Sequence, residues 1–381
     1  MDAPVAARVV RSMRGPRRLC KRYALEQAIR LPRLSTTVTV ACPMMLETRR
    51  VRVDHKVDRS RHKPRIFAGR IAKLLPAMPS PARFRTAMAP RISVFPKFQF
   101  DELVAGTYPF EQWIRDAAGL GGEGIEHYDG FFHSLAATDV DPIARLLDET
   151  GQTTSMMCFS PDFTHPDRDE RLRQVERQKA AIDLTARLGA RHCRTLSGQR
   201  YPGLSRIDGI ARTLEGIRRS LEYAERHNVV LCMENHYKDG TWRYPEFAQP
   251  EDIFLEIIEQ IDSPYFGVQY DPSNAFVGGF DPVKFLEKVR HRVVTMHASD
   301  RYLAPGATLD DLATGDGALG YASALKHGET GKGMNDYDAI FRLLADVGFE
   351  GWISVEAGME GLDEIGRSVS FLKRKRAEYF G

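Results

Sequence analysis

The sequence predicts an α/β chain whose residues 88–381 close into a (β/α)8 barrel. Three observations predict it. From Arg91 onward, short apolar runs rich in β-branched residues alternate with longer segments of helical period, the order of a parallel sheet wrapped by helices. Eight such units fit into roughly 290 residues, the size of one barrel. Four of the runs end in a residue able to bind a metal: Glu234, Asp271, His297 and Glu356. Buried parallel strands look like such runs, and polar groups at their C-terminal ends mark the reactive face of a barrel.

The elements follow in order. Strand 1 is R-I-S-V-F, stopped by Pro96, and helix 1 lies near Pro109–Ala118. Strand 2 is G-I-E-H-Y; helix 2 is D-P-I-A-R-L-L-D-E-T, with Pro142 in its first turn. Strand 3 is T-T-S-M-M-C-F, and helix 3 runs from Arg168 to Leu188 with Gly189 as its stop. Strand 4 is R-H-C-R-T-L, followed by helix 4 over Asp208–His227. Strand 5 (N-V-V-L-C-M-E) ends at Glu234, strand 6 (F-G-V-Q-Y-D) at Asp271, strand 7 (R-V-V-T-M-H) at His297 and strand 8 (W-I-S-V-E) at Glu356. Helices 5 to 8 are E-D-I-F-L-E-I-I-E-Q-I, D-P-V-K-F-L-E-K-V, D-Y-D-A-I-F-R-L-L-A-D-V and the stretch from Leu362. The loops after strands 5 and 7 are long, and the latter (298–335) is glycine-rich, as an active-site lid would be.

Composition bounds the rest. The chain has 381 residues, 43% hydrophobic and 28% charged, as in a globular protein. No apolar run approaches the roughly 18–20 residues of a membrane span. The five cysteines form no C-x-x-C pair, which predicts free thiols and a reduced, cytoplasmic setting. Residues 1–90 carry 21 Lys+Arg against 5 Asp+Glu, the remainder 33 against 46. The acidic body argues against nucleic acid as a partner. Residues 1–87, Arg- and Pro-rich without period, are expected to be disordered. They read as a basic tail, a transit peptide or an over-extended start upstream of Met88.

Two glycine motifs have plain readings. Gly119-x-Gly121-x-x-Gly124 follows a helix and precedes a strand, the reverse of what a dinucleotide site needs, and stops the helix. Gly328-E-T-Gly331-Lys332-Gly333 lacks the spacing and the Ser/Thr of a phosphate loop and reads as lid, with Lys332 near substrate. Singly, Asp271 before Pro272 suits a turn and Glu356 a surface ion pair. Jointly, three carboxylates and an imidazole at one mouth would repel one another without a cation. Oxygen-rich ligation with one His suits Mn2+ or Mg2+, with Co2+ and Zn2+ as alternatives.

L-C-M-E-N-H, V-Q-Y-D-P-S-N-A, M-H-A-S-D and S-V-E resemble the sugar phosphate isomerase/epimerase group of xylose isomerase-like TIM barrels, over residues 91–381. The resemblance implies that Glu234, Asp271, His297 and Glu356 hold one divalent ion, Mn2+ foremost. It also implies that Glu234 and Glu356 act as acid and base on opposite faces of a substrate carbon. A positioned carboxylate contributes on the order of 10²–10⁴-fold to proton abstraction beside a carbonyl, and Lewis acidity stabilises the enediolate. Transfer across the plane gives epimerisation; shuttling between adjacent carbons gives isomerisation.

Around this quartet, Glu126 at the end of strand 2, Arg194 on strand 4, His236, Lys238 and Trp242 after strand 5, and Asp300 and Arg301 after strand 7 are candidate substrate-binding residues. Each also has a structural reading: a salt bridge for Glu126, packing for Trp242. His165 lies on the mouth loop after strand 3, and Tyr244, like Trp242, is placed after strand 5 to pack on a sugar ring. Relatives often have H-x-K-D after strand 7; here Ser299 stands in place of the lysine. The expected activity is isomerisation or epimerisation of a sugar, keto-sugar or polyol. The alternatives are a lyase, dehydratase or C-glycoside-cleaving subunit acting on a 3-keto sugar, an endonuclease IV-like nuclease and a sugar-binding module. The nuclease is disfavoured by the missing histidines around Asp271 and His297. The expected partner is a small carbohydrate, without nucleic acid or membrane, and the chain is compatible with a homo-oligomer.

Overall fold

Eight parallel strands close into a barrel in chain order: β1 (Arg91–Val94), β2 (Gly124–Tyr128), β3 (Thr153–Cys158), β4 (His192–Thr195), β5 (Val230–Glu234), β6 (Phe266–Tyr270), β7 (Val293–Ala298) and β8 (Trp352–Val355). This computed structural model describes residues 88–308, 325–357 and 360–381, and a parallel pairing of Ala7–Arg8 with Val38–Thr39. Two compact units separate, Met1–Pro81 and Ala82–Gly381. Apart from that pairing, the expectation of disorder for 1–87 falls outside the described residues.

Closure is made by β8, which pairs with β1 (Trp352 beside Arg91, Val355 beside Val94) and with β7 (Ser354 beside His297). Outward residues such as Ile92, Val94, Leu231 and Ile353 are fully buried under the helices, which is why the strands read as continuous apolar runs. Each expected strand is present within a residue or two of its predicted ends. Two register shifts interrupt the ladders, between Ile125 and Glu126 against β3 and between Val268 and Gln269 against β6's neighbour β7. Bulges of this kind re-aim the side chains beside them.

The ring of helices comprises α1 (Phe100–Ala105), α2 (Phe110–Ala118), α3 (Ala137–Glu149), α4 (Arg168–Arg187), α5 (Arg206–Arg226), α6 (Glu251–Glu259), α7 (Pro272–Val277), α8 (Pro282–Val289), α9 (Tyr337–Asp346) and α10 (Leu362–Phe380). Short polar residues start several of them by accepting from free backbone N–H groups: Asp167 for α4, Ser205 for α5, Asp281 for α8 and Asp336 for α9. Helix α3 begins upstream of the predicted Asp141. Its apolar stripe already includes Val140 before Ile143, Leu146 and Leu147, and Pro142 is carried inside the helix. Short α1 and α7 were not expected. Among the described residues no helix is long and apolar enough to cross a membrane.

The expected lid is in part regular structure. Asp300–Leu303 and Leu325–Gly328 form an antiparallel hairpin. The following loop is fastened by the Asp300 carboxylate, which accepts from Gly331 N (3.0 Å), Gly333 N (2.9 Å) and Asn335 N (3.2 Å). Residues 309–324 lie outside the described residues.

Candidate metal centre at the barrel mouth

Strands β5 to β8 deliver four side chains to one end of the barrel. Glu234 is the last residue of β5, Asp271 follows β6, His297 is next to last in β7 and Glu356 follows β8. His297 Nδ1 lies 3.3 Å from Glu234 Oε1, 3.8 Å from Asp271 Oδ2 and 3.5 Å from Glu356 Oε2. This nitrogen is buried and makes no hydrogen bond.

Each member is held from behind. His297 Nε2 meets Glu126 Oε1 at 2.6 Å and the Gln269 amide at 2.7 Å, so Nδ1 is the atom presented to the carboxylates. Both contacts come from residues beside the two register shifts. Glu234 accepts from Arg194 Nη1 (2.8 Å) on Oε2 and from Asn274 Nδ2 (3.1 Å) on Oε1. Asp271 Oδ1 accepts from Ser273 N (2.7 Å), Asn274 N (3.0 Å) and Ser299 Oγ (2.7 Å), which turns Oδ2 to the centre. The Asn235 side chain locks the same backbone, donating to Asp271 O (2.7 Å) and accepting from Asp271 N (2.8 Å). Glu356 Oε1 accepts from Lys97 Nζ at 2.8 Å and leaves Oε2 for the centre.

The electrostatics call for positive charge. Burial alone would lower the His297 imidazole, yet Glu126, Glu234 and Glu356 drive it well above its ordinary range. Burial would raise Glu234, but His297 and Arg194 outweigh it and bring its carboxyl down to about 2. Glu356 is likewise held far below its usual range, burial being overcome by Lys97 and His297. Asp271 is pushed up by burial and by the two neighbouring glutamates. One buried imidazole nitrogen ringed by three carboxylate oxygens calls for positive charge between them, which a proton on the ring or a bound cation would supply. Three oxygens and one nitrogen suit Mn2+ or Mg2+. Ligand atoms of Glu234, Asp271 and His297 come within 4.8 Å of one another, as do those of Glu126, Cys158 and His297. In the second group, 2.6 Å between Glu126 and the ring leaves room for a proton and not for an ion.

The outer candidates separate. Glu126 does not face the mouth: it is buried behind His297 and accepts from Cys158 Sγ (3.0 Å). Arg194 is committed to Glu234, Phe159 O (3.3 Å) and Ser160 Oγ (2.8 Å), a bracing position in place of a free substrate clamp. The Asp300 carboxylate, expected at the substrate, accepts from the backbone N–H groups of Gly331, Gly333 and Asn335. Trp242 is buried and fills its loop. Lys332, expected near substrate, is exposed and paired with Glu329 (3.0 Å). His165 accepts from Asp167 N (3.1 Å), and Tyr244 packs on Tyr201. His236 and Lys238 lie half-buried on the β5 loop, and Arg301 is buried with its guanidinium 5.8 Å from the Tyr237 ring centre. The bracing roles of Lys97, Asn235, Asn274 and Ser299 were not anticipated, although the last three lie in the strand-end motifs and Ser299 stands where relatives often have lysine.

Comparison with known proteins agrees with this architecture. Residues 114–375 match a family profile described as xylose isomerase-like TIM barrel. A Streptomyces coelicolor protein, provisionally named a hydroxypyruvate isomerase, is 24% identical over 243 residues, 62% of this chain and 79% of the relative. Crystal structures of similar fold include a D-tagatose 3-epimerase-like protein (TM-score 0.58, 18% identity, 76% of this chain and 98% of that one). An L-ribulose 3-epimerase is comparable (TM-score 0.59, 17% identity, 76% and 95%).

Proposed function

Because this chain belongs to the xylose isomerase-like TIM-barrel family, we propose that it isomerises or epimerises a sugar, keto-sugar or polyol with the help of one divalent ion. Glu234, Asp271, His297 and Glu356 would hold that ion, Mn2+ in the first instance. The observation that carries the reading is His297 Nδ1, unbonded and ringed by three carboxylates, with its ring fixed from behind by Glu126. A divalent ion bound there supplies Lewis acidity toward a carbonyl and its neighbouring hydroxyl.

The protein's own groups do the rest. Glu234 and Glu356 are the proton-carrying pair, one removing the proton beside the carbonyl and the other returning one. Each has one oxygen anchored by a cation, Glu234 Oε2 by Arg194 and Glu356 Oε1 by Lys97, and turns the other toward His297 Nδ1. Phe95 sets its ring 6.2 Å from that of His297 and gives the imidazole an apolar neighbour. Three buried free thiols (Cys158, Cys193, Cys232) fit a reduced, cytoplasmic setting.

The test joins elemental analysis of the purified protein to a keto-sugar and sugar-phosphate panel screened for solvent deuterium at carbon, with Mn2+ added. We expect one divalent ion per chain and deuterium in at least one substrate. A protein that takes up no divalent ion would refute the reading. Glu356→Gln, which keeps the size of the side chain, is expected to abolish turnover with a melting temperature within a few degrees of wild type.

A further inference from the structure

The strap that joins the hairpin to α9, residues 329–336, is pressed onto the turn that follows His297. Thr330 Oγ1 donates to Ala298 O (2.8 Å) and Met334 N to Arg301 O (2.8 Å). The Asp300 carboxylate, fully buried, gathers the Gly331, Gly333 and Asn335 N–H groups over the same turn. The approach leaves no room for a side chain at 333, where a Cβ would come 2.2 Å from Asp300 Oδ1 and 2.3 Å from Arg301 O. At the end of the strap, the buried Asn335 amide donates to Ser299 O (3.0 Å) and Ser273 Oγ (3.2 Å). Those two serines come from different elements, the turn after β7 and the first turn of α7. Both also hold Asp271: Ser299 Oγ and Ser273 N each donate to its Oδ1 at 2.7 Å. One amide therefore grips two of the three residues that aim a carboxylate of the quartet.

We propose that Asn335 and Asp300 are positioning residues of the metal centre, and that strap closure and ion binding stabilise each other. The path is short. Asp300 fixes the backbone of the strap, and the strap sets Asn335. Asn335 in turn holds the two serines at the spacing that turns Asp271 Oδ2 toward His297 Nδ1. A group that orients a ligand from outside the coordination sphere tunes affinity without meeting the ion. Linkage of this kind is reciprocal: a strap held shut raises ion affinity, and a bound ion holds the strap shut by the same free energy. This rests on the reading that the quartet binds a divalent ion. A mere cover over the mouth would have no use for an amide that bridges β7 and α7 behind Asp271.

Mn2+ competition against a fluorescent chelator and hydrogen exchange of the strap amides, both on the full chain, test this without turnover. In wild type, Mn2+ is expected to slow exchange at Gly331, Gly333 and Asn335. Asn335→Ala and Asp300→Asn are each expected to weaken Mn2+ binding roughly tenfold and to abolish that slowing. Tyr337 OH still donates to Ser299 O (2.8 Å) in Asn335→Ala, so the buried carbonyl keeps a partner. Glu329→Gln, on the strap but paired outward with Arg367 (2.8 Å), is expected to bind Mn2+ as wild type does. Residues acting along one path are non-additive. Ser299→Ala combined with Asn335→Ala is thus expected to cost little more than the weaker-binding single variant. Strap amides indifferent to Mn2+, variants of wild-type affinity or fully additive losses would each overturn the inference and leave the ion reading standing. Should Asp300→Asn fail to fold, Asn335→Ala and the Ser299 double variant decide the matter. A wild type that takes up no divalent ion would overturn the functional reading and this inference together.

Discussion

Glu126 shows how one residue's role follows from where its side chain ends. At strand 2's tip it was a candidate for a substrate hydroxyl; the bulge at Ile125/Glu126 sends it behind His297 instead. Carboxylates that brace a ligating histidine fix its tautomer, and losing one typically lowers metal affinity by about 10–100-fold. Glu126→Gln is thus expected to weaken Mn2+ binding in that range in a chelator competition, with little change in fold. Buried histidines away from the centre set a pH limit. Burial pushes His127 down to about 3, well below the ordinary value of about 6.5. The unfolded chain takes up a proton there that the folded chain refuses. The stability it contributes is whole above about pH 6.5 and falls away as pH drops toward 3, by about 1.4 kcal/mol per pH unit. Half-buried His192 is lowered similarly, to about 4. Urea unfolding between pH 7 and 5 is expected to show this slope, and His127→Gln to remove one proton's share of it.

At the scale of elements, Asp271 has two duties that its sequence context could suggest only one at a time. Preceding Pro272, it caps α7 with Oδ1; ending strand 6, it turns Oδ2 to the centre. The duties can be separated. Asn is as good a helix cap as Asp, and losing such a cap costs about 1 kcal/mol. Asp271→Asn is expected to lose the metal and keep the stability of the ion-free protein, while Asp271→Ala loses both. Metal binding and denaturant midpoints measured on the two variants would check it. The barrel strands were legible because both of their faces are buried and their runs unbroken. Helix α7 was not, since six residues are too few for a period to show. The hairpin was hidden for another reason: Asp300 and Gly328 are neighbours only through pairing across the intervening loop.

At the scale of the molecule, sequence order alone gave a closed barrel with four strand ends at one rim, and the structure has that barrel. What it could not give was the inner arrangement. Lys97 reaches Glu356 across 259 residues of sequence and Ser299 reaches Asp271 from a neighbouring strand end, contacts set by closure and register rather than by local pattern.

The opposite end of the cylinder carries its own consequence. Trp352 lies against Gly124, where a Cβ would come 2.8 Å from the indole, and Arg91 stacks on the ring at 3.8 Å. Next along the same two strands the paired Ser93 and Ser354 hydroxyls bond to each other. With its floor stoppered in this way, the cylinder is a cup and not a pipe: whatever enters at the rim must back out by the same doorway. Reactant and product then queue for one berth, and initial-rate measurements are expected to show purely competitive inhibition by product.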